Sequence, residues 1–180
     1  MTNEADLLRL RALLAAAPRP PDGSIPPGAA TDVLREFEHR CGLVLSREHE
    51  ALLRLSNGPC VGPGGIFGLG TSLEYLDIEG LCQRHPRWLE LGWVPVAGDG
   101  CGNYYVAVPC EAAHPVVFVD TMEDPEAPAY VVASDVLKFV LALLEKETGA
   151  VGWPFDPEVV LRADPDLARF ADQLPLPWTV

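Results

Sequence analysis

Five cysteines, four histidines and a run of carboxylates are the groups in this 180-residue chain that could do chemistry. The cysteines are Cys41, Cys60, Cys82, Cys101 and Cys110, spread singly and with no Cys-x-x-Cys pair. A nucleophilic cysteine needs a nearby base and a lowered pKa. Cys101 is the best placed, in a Gly-rich turn, but nothing in the sequence assigns a histidine to it, and its acidic surroundings oppose thiolate formation. Zinc needs four ligands, or three and a water. Cys82-Gln83-Arg84-His85 offers one pair at workable spacing, and no second pair matches it. His49-Glu50 is followed by Ala51, Leu52 and Leu53, so it is not a metalloprotease His-Glu-x-x-His. Gly62, Gly64, Gly65, Gly68 and Gly70 fit neither Gly-x-Gly-x-x-Gly nor a P-loop, and no lysine follows them. The expectation is no catalytic residue, no cofactor and no metal. The enzymatic alternative is a small hydrolase using Cys101 or a metal.

The carboxylates say more. Asp120-Thr121-Met122-Glu123-Asp124-Pro125-Glu126 is the densest acidic patch, and it lacks the alternation and glycine of an EF-hand loop. It is a solvated turn, a contact edge for a basic partner, or a weak calcium site. The net charge is -13, and its distribution is lopsided. Residues 1–60 hold seven Arg and eight acids, whereas residues 61–180 hold six basic residues and eighteen acids. No Lys or Arg occurs between Arg87 and Lys138. An acidic field repels phosphate backbones, which disfavours nucleic acid, and speeds encounter with a basic protein. Trp88, Trp93, Tyr104 and Tyr105 lie in or beside this stretch. Strand alternation puts Tyr104 and Tyr105 on opposite faces, one in the core and one free to anchor a partner. The predicted partner-binding residues are therefore Asp99, Asp120, Glu123, Asp124, Glu126, Trp88 and Tyr104.

Elements must position these groups. Leu7, Leu10, Leu13 and Leu14 predict a helix over 3–17, with Asn3 as its cap. Five prolines and two glycines make residues 18–30 a stiff linker. Thr31 is expected to cap a second helix with Val33, Leu34, Phe37 and Cys41 on one face, ended by Gly42. Ser46 caps a third, closed by Asn57 and Gly58. Residues 66–69 suit a short strand, and Asp77 a short helix running to His85 and stopped by Pro86. Strands are predicted at 93–97, 103–108, 115–120 and 129–133, then a helix from Asp135 to Glu147 capped by Ser134. Connections this short exclude crossover helices, so the sheet is antiparallel and the class α+β, with a mostly antiparallel twisted sheet flanked by N-terminal and C-terminal helices. Asp156-Pro157 and Asp164-Pro165 each read as a cap followed by proline at the first helical position. Trp153, Phe155, Phe170, Leu174, Leu176 and Trp178 are expected to bring residues 148–180 back onto the core.

The length suits one domain: residues 1–30 as helix and linker, 31–147 as core, 148–180 as a packed extension. No apolar run nears the ~20 residues of a membrane helix. Glu4 and Asp6 precede the Leu-rich segment, which is unlike a signal peptide. An odd number of scattered cysteines reads as reduced and packing. A cytoplasmic protein is expected.

The ordered motifs carry a resemblance. They are Ala51-Leu52-Leu53-Arg54-Leu55-Ser56-Asn57-Gly58, Gly65-Ile66-Phe67-Gly68-Leu69, Trp93-Val94-Pro95-Val96-Ala97, Asp99-Gly100-Cys101-Gly102-Asn103-Tyr104-Tyr105, and Pro115-Val116-Val117-Phe118-Val119-Asp120, with a helix after Ser134. Over roughly residues 30–147 the set resembles the SUKH superfamily, which includes bacterial toxin-immunity proteins and the yeast Smi/Knr cell-wall assembly regulators. The resemblance implies no enzymatic activity and stoichiometric binding of a cognate toxin, often a nuclease. It also implies that Asn57, Gly58, Asp99, Gly100, Gly102 and Tyr105 form the fold. The alternative it leaves is a regulatory interaction or scaffold module without a toxin partner.

Overall fold

The computed structural model describes residues 4–17, 25–111 and 113–179. In chain order the elements are α1 (Glu4–Ala16), α2 (Thr31–Cys41), α3 (Arg47–Leu55), a 3-10 turn (Glu74–Leu76), α4 (Ile78–Arg84) and α5 (Pro86–Leu91). The four strands follow as β1 (Val94–Gly98), β2 (Tyr104–Ala107), β3 (Val116–Val119) and β4 (Tyr130–Ala133). Then come α6 (Val136–Glu147), α7 (Pro157–Ala163) and a second 3-10 turn (Pro165–Phe170). The strands pair antiparallel in the order β1-β2-β3-β4, and helices flank the sheet. The class is α+β, as the short connections required.

Register sorts the strand residues onto two faces. Tyr105 stands opposite Phe118 and Ala107 opposite Val116; Val106 stands opposite Val117 and Tyr104 opposite Val119. The Tyr105 face packs on Phe139, Val140 and Leu143 of α6, with Leu10 and Leu14 of α1 and Leu52 of α3 in the same cluster. The Val106 face packs on Trp88, Trp93, Val160, Leu167 and Phe170. Both faces are thus buried, which is why the strands are almost continuously apolar rather than alternating. A third cluster joins Leu34, Phe37 and Leu53 to Phe67, Leu76, Ile78 and Leu81 beside β1.

Other backbone meets both sheet edges. Outside β1, Ile66 bridges to Ala97, the Phe67 amide donates to Val96 O at 2.8 Å, and the Gly98 amide donates to Gly65 O at 3.1 Å. Outside β4, the Val131 amide donates to Pro175 O at 2.8 Å. Covering unpaired amides in this way removes a template for chance strand pairing.

Several local expectations are corrected. Residues 66–69 form isolated bridges, not a strand, because only Ile66 and Phe67 run beside β1. Pro86 does more than stop a helix: it opens α5 from its first turn, where its missing N–H costs nothing. Ala30, not Thr31, precedes the first turn of α2, and the Thr31 hydroxyl accepts from Arg54 Nη1 at 2.7 Å. Val33 is turned outward from that helix, while Leu34 and Phe37 are buried. Asp135 caps α6, because Ser134 is held by the Asp164 carboxylate through its amide and its hydroxyl, both at 2.6 Å. With its oxygens so engaged, Asp164 caps nothing, and the segment after it is a 3-10 turn. Ser56 ends α3; the Asn57 side chain instead brackets Leu69, accepting from its amide and donating to its carbonyl, each at 2.8 Å. The Asp77 and Asp156 caps form as expected. Phe155 remains 58% exposed. The Asn3 cap and residues 18–24 of the linker lie outside the described residues.

Candidate protein-interaction site

Three loops meet at one end of the sheet: 59–65, the β1–β2 loop 99–103, and the β3–β4 loop 120–129. The first two touch backbone to backbone. A Cβ on Gly64 would lie 2.4 Å from Gly98 C, and one on Gly100, whose φ is +81°, would lie 2.7 Å from Pro63 O. Only glycine permits this approach. The Gly-rich run that superficially suggested a phosphate cradle is therefore a packing surface for the hairpin.

Carboxylates then close the loops on themselves. Asp99 Oδ1 accepts from the amides of Cys101 at 2.7 Å and Asn103 at 2.9 Å, and Oδ2 accepts from Asn103 Nδ2 at 2.9 Å. Asn103 Oδ1 in turn accepts from the Thr121 amide at 3.1 Å, while the Thr121 hydroxyl donates to Gly102 O at 3.0 Å. The β1–β2 and β3–β4 loops are thereby joined. Within the second loop, Asp120 accepts from the Met122 amide and Asp124 from the Glu126 amide, both at 2.9 Å. Short polar side chains that bond their own backbone two residues on are what hold such turns.

Support comes from below. Trp88 of α5 is fully buried, and its indole N–H donates to Pro125 O at 2.7 Å. His85 stacks on that ring at 4.2 Å, and Tyr104 meets both rings edge-on at 5.4 Å. Burial first, and then the charge of Arg84, lowers the His85 pKa, which favours its uncharged form. The acidic loop rests on this aromatic stack.

The charge of this end is only lightly offset. Arg87 pairs with Glu90 and lies 3.8 Å from Glu126. Burial first, and then the charges of Asp120 and Asp99, raise the Tyr130 phenol pKa. Tyr105 is also pushed up, by burial, Tyr130 and Asp99 in that order. The negative field of the loops thus reaches two phenols of the sheet.

Of the predicted partner-binding residues, Glu123, Asp124 and Glu126 are exposed, and Asp120 and Asp99 are half-buried at the same end. Trp88 is corrected: with 0% of its surface exposed it cannot touch a partner, and its role is to hold the loop. Tyr104 is half-buried, with its ring packed among Phe67, His85 and Trp88. Asp99 is chiefly a loop staple. Sequence reasoning missed Met122, which is 89% exposed in the middle of the acids. A lone apolar residue inside an acidic turn was its only signal.

The candidate chemical groups are not brought together. Cys101 is exposed, and among the described residues nothing is hydrogen-bonded to its thiol. Cys82 is buried, with a pKa raised to about 12, mainly by burial. The five cysteines are free. Among the described residues no three His, Cys, Asp or Glu side chains cluster closely enough to hold a metal ion. No helix among them is long and apolar enough to cross a membrane.

The sheet, the Asn57 bracket and the Asp99 hairpin lie within one recognisable stretch: a family model described as SMI1 / KNR4 family (SUKH-1) matches residues 28–142. The chain belongs to the SMI1/KNR4 family. Members of this SUKH-1 family are generally non-catalytic immunity or regulatory proteins. The matched range takes in α2 to the middle of α6, and leaves α1 and the α7 segment as additions to the SMI1/KNR4 core. No curated protein and no solved structure matches the chain.

Proposed function

We propose that this SMI1/KNR4-family chain is a cytoplasmic immunity-type protein that neutralises a cognate toxin by stoichiometric binding. It does no chemistry of its own on this reading. The observation that carries it is the acidic end of the sheet: Asp120, Glu123, Asp124 and Glu126 on loops fixed by hydrogen bonds, around an exposed Met122. A prefixed surface loses little entropy on binding, because its loops are already ordered. Its carboxylates suit a basic partner, such as a nuclease whose site accepts phosphates. Rim carboxylates raise the association rate, and Met122 is the apolar group that would enter a pocket and slow dissociation.

Co-expression with the product of the neighbouring gene is the test. The expected result is rescue from toxicity and a one-to-one complex whose association rate falls with salt. A non-toxic neighbour that does not bind would overturn the reading. The family match also fits a regulatory interaction module without a toxin, and the same experiment separates the two: a bound but harmless partner favours that module.

A further inference from the structure

The α6 face of the sheet carries a row of rings that the acidic loops leave unexplained. Tyr105 of β2, Phe118 of β3 and Tyr130 of β4 stand side by side in register. The Phe118 ring lies 5.3 Å from Tyr105 and 5.1 Å from Tyr130, stacked within 18° on the latter. Tyr105 is buried, whereas Phe118 and Tyr130 are half-buried, so the row opens outward from β2 to β4. Phe155, just before α7, meets the Tyr130 ring edge-on at 5.8 Å and is itself exposed. Its backbone is held: the Phe155 amide donates to Gly152 O at 2.8 Å, the Asp156 amide donates to the same carbonyl at 2.7 Å, and Asp156 caps α7. Single exposed apolar residues are ordinary on a surface, but rings in contact on ordered backbone form a patch.

Acids close one end of this row. Strand alternation puts Asp120, two residues after Phe118, on the same face about 6.6 Å further along. Asp99, two residues after Ala97, follows in the same way, because Ala97 is the register partner of Tyr105. Both carboxylates are near enough to the Tyr130 phenol to raise its pKa, after the larger effect of burial. Asp99 spends both oxygens inside its own loop. Asp120 gives Oδ1 to the Met122 amide and, among the described residues, has no bond on Oδ2. The rings also lack a cation of their own. Trp153 has the Lys146 ammonium at 5.6 Å and Phe170 the Arg169 guanidinium at 4.9 Å, while among the described residues no Lys or Arg sits over Phe118, Tyr130 or Phe155.

We propose that this row docks an arginine side chain of the partner, its guanidinium seated in the corner between Tyr130 and Phe155 and its N–H groups turned to Asp120. The face of an aromatic ring attracts a cation, and arginine is the cation that stacks flat and is the more weakly hydrated. A carboxylate beside the ring adds a charged acceptor. A second copy of this chain is a poor occupant, since two surfaces of a protein of net charge -13 repel. The inference rests on the reading that this end of the sheet meets a basic protein, and it holds whether or not that protein is a toxin. Phe155 lies beyond the matched family range, so the outermost ring belongs to this chain's additions.

The experiment titrates the full ¹⁵N-labelled chain with two blocked peptides of equal charge, acetyl-(Gly-Arg)₄-amide and acetyl-(Gly-Lys)₄-amide. The arginine peptide is expected to give saturable shifts of the Tyr130 and Phe155 amides. It should bind about two- to fivefold more tightly than the lysine peptide, the factor an exposed cation–π contact supplies. Phe155→Leu keeps an apolar side chain at an exposed position and removes the ring, so it should erase that advantage and leave the lysine peptide unchanged. Absence of saturable shifts with the arginine peptide, equal affinity for both peptides, or an undiminished advantage in Phe155→Leu overturns the proposal. So does a dimer of the free chain that Phe155→Leu dissolves. The triple change Glu123→Gln, Asp124→Asn, Glu126→Gln should weaken both peptides alike; if it weakens neither, the reading of the acidic end fails, separately from the arginine preference.

Discussion

Acids on the helices and acids on the loops are satisfied in different ways. On the helical side they meet arginines: Glu145 with Arg9, Glu36 and Glu79 with Arg40, Glu50 with Arg54. At the loop end Asp99, Asp120 and Asp124 meet backbone amides instead. Both arrangements give the carboxylates favourable partners. Only the first cancels the charge. An amide-bound carboxylate keeps its full negative charge, so the loop end is well ordered and still electrostatically unbalanced. On the proposed reading, that combination is what a basic partner would meet.

The sharpest way to break this contrast is to remove what holds the loops. Trp88→Ala deletes a fully buried indole and should cost about 3–5 kcal/mol, read as a lower urea midpoint. If the loop amides around Pro125 exchange no faster in that variant, the Trp88 strut is not what orders them.

Acid probes the helical side. His49 of α3 is 1% exposed, and among the described residues neither ring nitrogen has a hydrogen-bond partner. Burial, with a smaller contribution from His114, lowers its pKa from 6.5 to about 3. The unfolded chain therefore binds a proton below pH 6.5 that the folded chain refuses. Stability on this account is complete above pH 6.5 and falls as pH drops toward 3, by about 3 kcal/mol between pH 6.5 and 4. Asp135 and Asp164, whose pKa values burial raises, oppose the loss within the carboxylate range. His49→Leu should flatten the acid limb of a stability-versus-pH curve; an unchanged limb would place the sensitivity elsewhere.

Asp99→Ala removes the acceptor of three hydrogen bonds and is expected to cost about 1–3 kcal/mol, seen in thermal unfolding. Asp99→Asn keeps one carbonyl acceptor and should cost less. The smallest effect on stability, within ~0.5 kcal/mol, belongs to the triple change Glu123→Gln, Asp124→Asn, Glu126→Gln. Yet these substitutions should slow association with a basic partner and flatten its salt dependence. Arg54→Gln on the helical side, with a similar ~0.3–0.5 kcal/mol cost, should leave association untouched. Equal slowing by both would erase the distinction between the two kinds of acid.

Most of the fold was legible because its signals are local. Val-rich runs separated by Gly-rich or acidic turns located the four strands to within a residue or two of their ends. Asp77, Ser46 and Asp156 declared their caps. What the sequence hid was competition between partners distant in the chain. Ser134 reads as a cap until Asp164, thirty residues later, claims its amide and hydroxyl. Asn57 reads as a helix stop until Leu69 arrives to be bracketed. The site was legible as charge and misread as anchor. Trp88 is a large aromatic near acids, the usual profile of a hot spot, but α5, which buries it, begins at a proline that reads as a stop. Met122 had no periodicity to announce it.

The strips laid along β1 and β4 also bear on how this protein can change over time. Where these bonds occupy the edge amides, another strand cannot pair, and recognition is not tied to the sheet itself. The proposed function gives recognition to side chains on turns whose shape is fixed by a few aspartates, one asparagine and glycines. On the proposed reading, residues such as Met122 and Glu123 can drift with a changing partner, while the strands beneath them inherit nothing of the change.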